Sequence, residues 1–172
     1  MKKKLIVTSL LAATVFASAA NAATINITGS IAAAPCIIDV ASSTSNVTMP
    51  AIFEADLASL TSGGVIDKSS TPIEINLSTC PALASNAVVT FTGAGAGDAF
   101  SLGNAVKGVA LKIYDSSDNE ITAVNGTAVA RTNALGVQAN QKLEYKLKYV
   151  KTAEPFTEGA VSAAVDFDVT YN

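Results

Sequence analysis

The chain has 172 residues, of which 49% are hydrophobic but only 6% aromatic, and it contains two cysteines, no Trp and no His. Without histidine, Ser-His-Asp, Cys-His and His-zinc chemistry are excluded, and a charged fraction of 15% is too low for a disordered tail. The formal charge of −3 is the wrong sign for a surface that must neutralise phosphates, so nucleic acid is not an expected partner.

The first residues read as a leader. Lys2, Lys3 and Lys4 precede the apolar run Leu5 to Ala17, and Ser18-Ala19-Ala20-Asn21-Ala22 supplies an Ala-x-Ala site. This is the pattern of a secretory signal peptide over residues 1–22, cut between Ala22 and Ala23. The apolar run is shorter than the roughly 18 residues of a spanning helix, and no later segment is longer, so no membrane span is expected. Removing the three leader lysines leaves eight basic against 14 acidic side chains, a mature net charge of −6.

Export decides how Cys36 and Cys80 are read. In an oxidising compartment an even pair of thiols is most simply one disulfide; a metal pair or a catalytic thiol would lack any His partner and C-x-x-C spacing.

Along the mature chain, period-two alternation with β-branched residues and Gly, Asn, Asp or Ser clusters predicts an all-β domain of short antiparallel strands. The predicted strands are 24–33, 36–40, 46–49, 73–77, 87–92, 109–114, 127–131, 143–150 and 161–171. Only residues 53–60 suggest a turn or two of helix. Residues 115–120 read as a hairpin loop, and Val124-Asn125-Gly126-Thr127 as a hairpin with the Asn-Gly pair of a type I′ turn.

Signals for ligand chemistry are weak. Gly93-Ala-Gly-Ala-Gly97-Asp98 has G-x-G-x-G spacing without a following helix pattern, which favours a loop over a nucleotide site. Asp115, Asp118 and Glu120 lack the D-x-D-x-D-G frame of a calcium loop and read as a solvated hairpin tip. Asp and Glu are otherwise scattered without marked spacing. No catalytic, cofactor-binding or metal constellation stands out, and no enzyme is expected.

The two ends carry the information. After the cleavage site, Ile25, Ile27, Gly29, Ile31 and Ala33 fall on one face of a strand, with Thr24, Asn26, Thr28, Ser30 and Ala32 on the other. At the C-terminus Val161, Ala163, Val165, Phe167, Val169 and the penultimate Tyr171 form a second alternating face, with Ser162, Ala164, Asp166, Asp168 and Thr170 opposite. Both ends could be ordinary strands of one closed sandwich.

Taken together, the leader, the alternating extension with Gly29 seven residues before Cys36, the Cys36 to Cys80 loop, Gly159 fourteenth from the C-terminus and the penultimate Tyr171 resemble a chaperone-usher pilus subunit of the type 1 fimbrial major-subunit (pilin) family. The resemblance covers the whole chain. One departure is Met49-Pro50-Ala51-Ile52, where many relatives carry a Leu-Gly pair.

The resemblance implies an incomplete immunoglobulin-like β-sandwich that lacks its last strand and is completed by donor-strand complementation. Residues 23–35 would be the donor extension and 36–172 the pilin domain, with Ile25, Ile27, Gly29, Ile31 and Ala33 entering a neighbour's groove. Gly159, Val165, Phe167, Val169, Tyr171 and the carboxylate of Asn172 would form the groove edge and the chaperone-pairing strand. The implied partners are neighbouring copies of the same subunit, a periplasmic chaperone, an outer-membrane usher and a tip adhesin, and the implied destination is an extracellular fimbrium. A minor adaptor subunit and a self-contained secreted sandwich that binds a sugar or another small ligand are the alternatives.

Overall fold

In a computed structural model the described residues are 35–81 and 86–171, all within one compact unit, Ala32–Asn172. The leader, the N-terminal strand and Asn172 lie outside them. The elements in chain order are β1 (Ile37–Ile38), helix α1 (Glu54–Leu57), β2 (Val65–Ser78), β3 (Asn86–Gly93), β4 (Gly95–Ala96) and β5 (Ala99–Phe100). These are followed by β6 (Val109–Asp115), β7 (Glu120–Ile121), β8 (Ala123–Val124), β9 (Thr127–Val129), β10 (Asn133–Ala134), β11 (Gln141–Lys151) and β12 (Val165–Tyr171).

Two antiparallel sheets result. The first runs β1-β2-β11-β6-β5-β4, with β7 also paired to β6; in the second, β3 is flanked by β12 on one side and by β9 and β10 on the other. Alternation builds the core between them. Ile75 and Leu77 of β2, Leu143, Tyr145 and Leu147 of β11 and Ile113 of β6 bury themselves against Ala87, Val89 and Phe91 of β3 and Val169 of β12. In the absence of Trp, Tyr145 is the largest fully buried side chain; Phe91 meets it edge-on at 5.1 Å, and the Asn133 amide donates to its hydroxyl at 3.0 Å. Burial pushes the Tyr145 phenol up to about 12.

Several predicted elements differ in extent. The strand expected over 73–77 begins at Val65, continuing through Pro72 because β1 pairs only with Leu77 and Ser78, so at Pro72 the outer edge of β2 needs no N–H. Between Ile66 and Thr71 the chain bulges opposite Lys148, and the buried Ser69 hydroxyl closes the gap by donating to Ile66 O and accepting the Tyr149 N–H at 2.7 Å. The expected helix is one turn, whose first free amide, that of Phe53, is taken by the Asp56 carboxylate at 2.7 Å. Residues 46–49 form no strand, and the C-terminal strand starts at Val165 rather than Val161, because Ser162 N–H is instead held by Leu102 O at 3.1 Å. The Asn125-Gly126 hairpin is present, with φ of 52° and 81° at its two central residues.

Candidate functional site

The predicted chemistry at the C-terminal end is a strand edge. β12 pairs over its full length with β3, Phe167 opposite Phe91 and Tyr171 opposite Ala87, and among the described residues its other edge has no partner. Val165, Phe167, Val169 and Tyr171 turn inward and are buried or half-buried, while Asp166, Asp168 and Thr170 face out.

Across from that edge lies residues 44–52, a stretch without a single charged side chain and without strand pairing. It leaves β2 after the Thr44 N–H reaches Glu74 O at 2.9 Å. Between this wall and residues 159–167 runs a row of three cavities. The first, about 360 Å³, lies between Thr44, Ser45 and Val47 on one side and Ala163 to Phe167 on the other. The second, about 420 Å³, shares Val47, Leu111, Leu147 and Ala163 with it. The third, about 310 Å³, shares Met49, Leu102, Tyr149 and Val161 with the second and ends at Phe156 and Gly159.

Because neighbouring cavities share walls, they form one continuous groove. Its floor is the interior of the sandwich, Leu111 of β6 with Leu147 and Tyr149 of β11, seen through the gap between the sheets. Val47 and Val161 stand exposed on its two rims. A groove with an apolar floor and mixed walls, beside a strand edge unpaired among the described residues, is shaped for an extended segment that offers alternate side chains to the floor and its backbone to β12.

The end of β12 beyond the cavities and the Gly159 end of the groove are both fixed. Cys36 and Cys80 form a disulfide, and the Tyr171 hydroxyl donates to Cys36 O at 3.4 Å, tying the end of β12 to the start of the domain. At the far end, a Cβ on Gly159 would lie 2.7 Å from Ala105 O, so this position admits only glycine without moving the wall.

Of the residues singled out in the sequence, Gly159, Val165 and Phe167 line the groove; Cys36, Cys80 and Tyr171 meet one another beyond the cavities, and Val169 packs in the core. Ala22, Ala23, Ile25, Ile27, Gly29, Ile31, Ala33 and Asn172 lie outside the described residues. Val47, Met49, Leu111 and Leu147 were not anticipated as groove residues. The hairpin-tip carboxylates are engaged: Asp118 meets Lys146 at 2.7 Å and Lys148 at 3.0 Å, and Glu120 meets Lys112 at 2.7 Å. No helix among the described residues is long and apolar enough to cross a membrane.

Comparison with known proteins follows the same lines. Residues 25–172 match the protein family described as Fimbrial protein. The chain is 32% identical over 171 residues to the "Probable major fimbrial subunit LpfA" of Escherichia coli O157:H7, covering 95% of this chain and 91% of that protein. It is also 32% identical over 186 residues to long polar fimbria protein A of Salmonella typhimurium, covering 99% of this chain and 97% of that one. Among solved structures, the P pilus rod subunit PapA shares the fold at 23% identity with a TM-score of 0.63, over 81% of this chain and all of that one. A Burkholderia pseudomallei antigen and type I fimbria protein is 28% identical with a TM-score of 0.57, over 86% of this chain and 96% of that one.

Proposed function

The chain belongs to the fimbrial protein family, and from that premise we propose that it is the major structural subunit of a chaperone-usher fimbria, polymerising head to tail into an extracellular filament. The observation that carries the reading is the continuous groove beside the unpaired edge of β12. Residues 23–35 of one copy supply the missing strand of the next. Ile25, Ile27, Gly29, Ile31 and Ala33 face the groove floor, and their backbone pairs with β12.

Three isoleucines at roughly 1.5–3 kcal/mol each contribute about 5–9 kcal/mol of gross burial, before the cost of ordering the strand. Gly29 marks the register, since a strand glycine suits a point of close backbone approach. Before assembly a periplasmic chaperone fills the same groove and grips the Asn172 carboxylate, and exchange takes place at an outer-membrane usher. Donor and groove are different surfaces, so the contact is heterologous and propagates as a filament instead of closing on itself. The role is structural, and the reading assigns no catalytic group or cofactor.

Electron microscopy of sheared surface material with mass spectrometry of the filaments tests this. Filaments built from this chain are expected, and they are expected to vanish when residues 23–33 are deleted. Filaments that lack the chain in cells expressing it would overturn the assignment.

A further inference from the structure

A free, flat strand edge pairs with any extended segment that reaches it, and the competitor at highest local concentration is the same edge of a second copy. The outward-facing residues of β12 are Asp166, Asp168 and Thr170, all exposed. Their neighbours across β3 are Thr92, Thr90 and Val88, and among the described residues neither carboxylate has an ion-pair partner. On the other sheet, by contrast, Lys112, Lys142, Lys146 and Lys148 each sit on at least one carboxylate. Among the described residues, negative charge is thus left without an ion-pair partner along the open edge of β12.

We propose that Asp166 and Asp168 select the partner strand: they oppose pairing of β12 with β12 of a second copy and leave the edge to the uncharged N-terminal strand. The inference rests on the donor-strand reading above. In an antiparallel β12 pair centred on Phe167, Asp166 faces the second copy's Asp168 twice over. Centring on Asp166 or Asp168 sets that residue against its own equivalent, and a parallel in-register pair sets both against theirs. Like charges directly opposite destabilise a strand pair. A one-residue slip avoids the opposition only by turning one apolar face to water. The outward residues of the N-terminal strand, Thr24, Asn26, Thr28 and Ser30, carry no charge and can donate hydrogen bonds to the two carboxylates. The same edge therefore admits the pairing that propagates a filament and disfavours the symmetric pairing that ends in a dimer.

The test places a photo-crosslinking amino acid at Thr170 of the full chain and identifies β12-to-β12 crosslinks by mass spectrometry at low ionic strength. Asp166→Asn with Asp168→Asn is expected to raise them roughly fivefold. Wild-type protein is expected to approach that level at about 1 M salt, where the screening length falls to about 3 Å. Asp166→Lys with Asp168→Lys, which restores like-charge opposition with the sign reversed, is expected to return crosslinking to the wild-type level. An asparagine variant that crosslinks no more than wild type, or a lysine variant that crosslinks as much as the asparagine variant, would overturn the proposal. The readout is the symmetric dimer, so a wild-type chain that forms no filaments would count against the donor-strand reading alone.

Discussion

Lys148 of β11 lies directly across the sheet from Lys112 of β6, and both ammonium-bearing side chains are almost covered. Two cations opposite one another repel, and the arrangement holds because carboxylates close over each: Asp98 at 2.6 Å and Glu120 at 2.7 Å on Lys112, Asp118 at 3.0 Å and Asp67 at 3.5 Å on Lys148. The Lys148 ammonium also stands 5.0 Å over the ring of Tyr114. The burial is one-sided, since the Lys112 side chain is 7% exposed and that of Asp98 66%.

That asymmetry makes the direction of mutation matter. Lys112→Met leaves its carboxylates free to hydrate and should cost under about 1 kcal/mol in urea unfolding. Asp98→Asn with Glu120→Gln strands a covered ammonium and should cost about 3 kcal/mol. A lysine variant less stable than the double carboxylate variant would refute this account.

The same pairs set the pH range of stability. The Lys112 ammonium holds the Asp98 carboxyl below the ordinary carboxylate range, and Lys146 with Lys148 does so for Asp118. A carboxyl lowered by folding contributes stability above its unfolded value near 4, and that contribution is lost as pH falls through the folded value. Burial alone would lower the Lys112 ammonium, but the hydrogen bonds it donates to Asp98 and Glu120 outweigh burial and raise the value; Asp118 raises that of Lys148. Their contribution is present below the unfolded value near 10.4 and is lost above it. Melting temperature by circular dichroism is expected to be flat from about pH 5 to 10 and to fall on either side. A steep decline between pH 7 and 5 would show that other groups dominate.

Much of this fold is legible in the sequence where a strand alternates and its partner is conventional, as in Asn86–Gly93 and Gln141–Lys151, and where a turn has its own chemistry, as at Asn125-Gly126. Alternation reports which side chains share a face, not whether the backbone has a neighbour. Residues 46–49 alternate yet form no strand, because among the described residues no strand lies beside them to pair with. The expected strand begins only at Ile73, although a side-chain hydroxyl at Ser69 and an outer edge left open by β1 at Pro72 let β2 run from Val65. The strand beside the groove is legible because Val165, Phe167, Val169 and Tyr171 alternate with Asp166, Asp168 and Thr170. The floor is not, since Leu111 and Leu147 look like ordinary core residues until the gap above them is seen.

The disulfide closes a loop with a sequence separation of 44. In the chain-entropy picture, replacing both Cys36 and Cys80 by Ser should lower the unfolding free energy by about 4 kcal/mol. Urea titration of the double variant checks this, and a loss under about 1 kcal/mol would mean that the start of the domain is held by packing and the Tyr171 contact instead.

The sharpest separation of folding from assembly comes from filling the groove from within. Ala163 is exposed and borders two of the three cavities, so a larger side chain there projects into open space and displaces no core atom. Ala163→Trp should therefore leave the melting temperature within a few degrees of wild type while reducing filament yield more than tenfold, because the indole occupies volume that an incoming strand must enter. Gly29→Arg approaches the same interface from the other side, placing a long charged side chain on the face of the N-terminal strand proposed to enter the groove. It should block assembly in a pure population yet leave the variant able to accept a wild-type neighbour's strand, so mixed expression should give short filaments with the variant at one end only. Normal yield from Ala163→Trp would remove the groove from the assembly mechanism; normal yield from Gly29→Arg alone would leave the groove in place and refute the register.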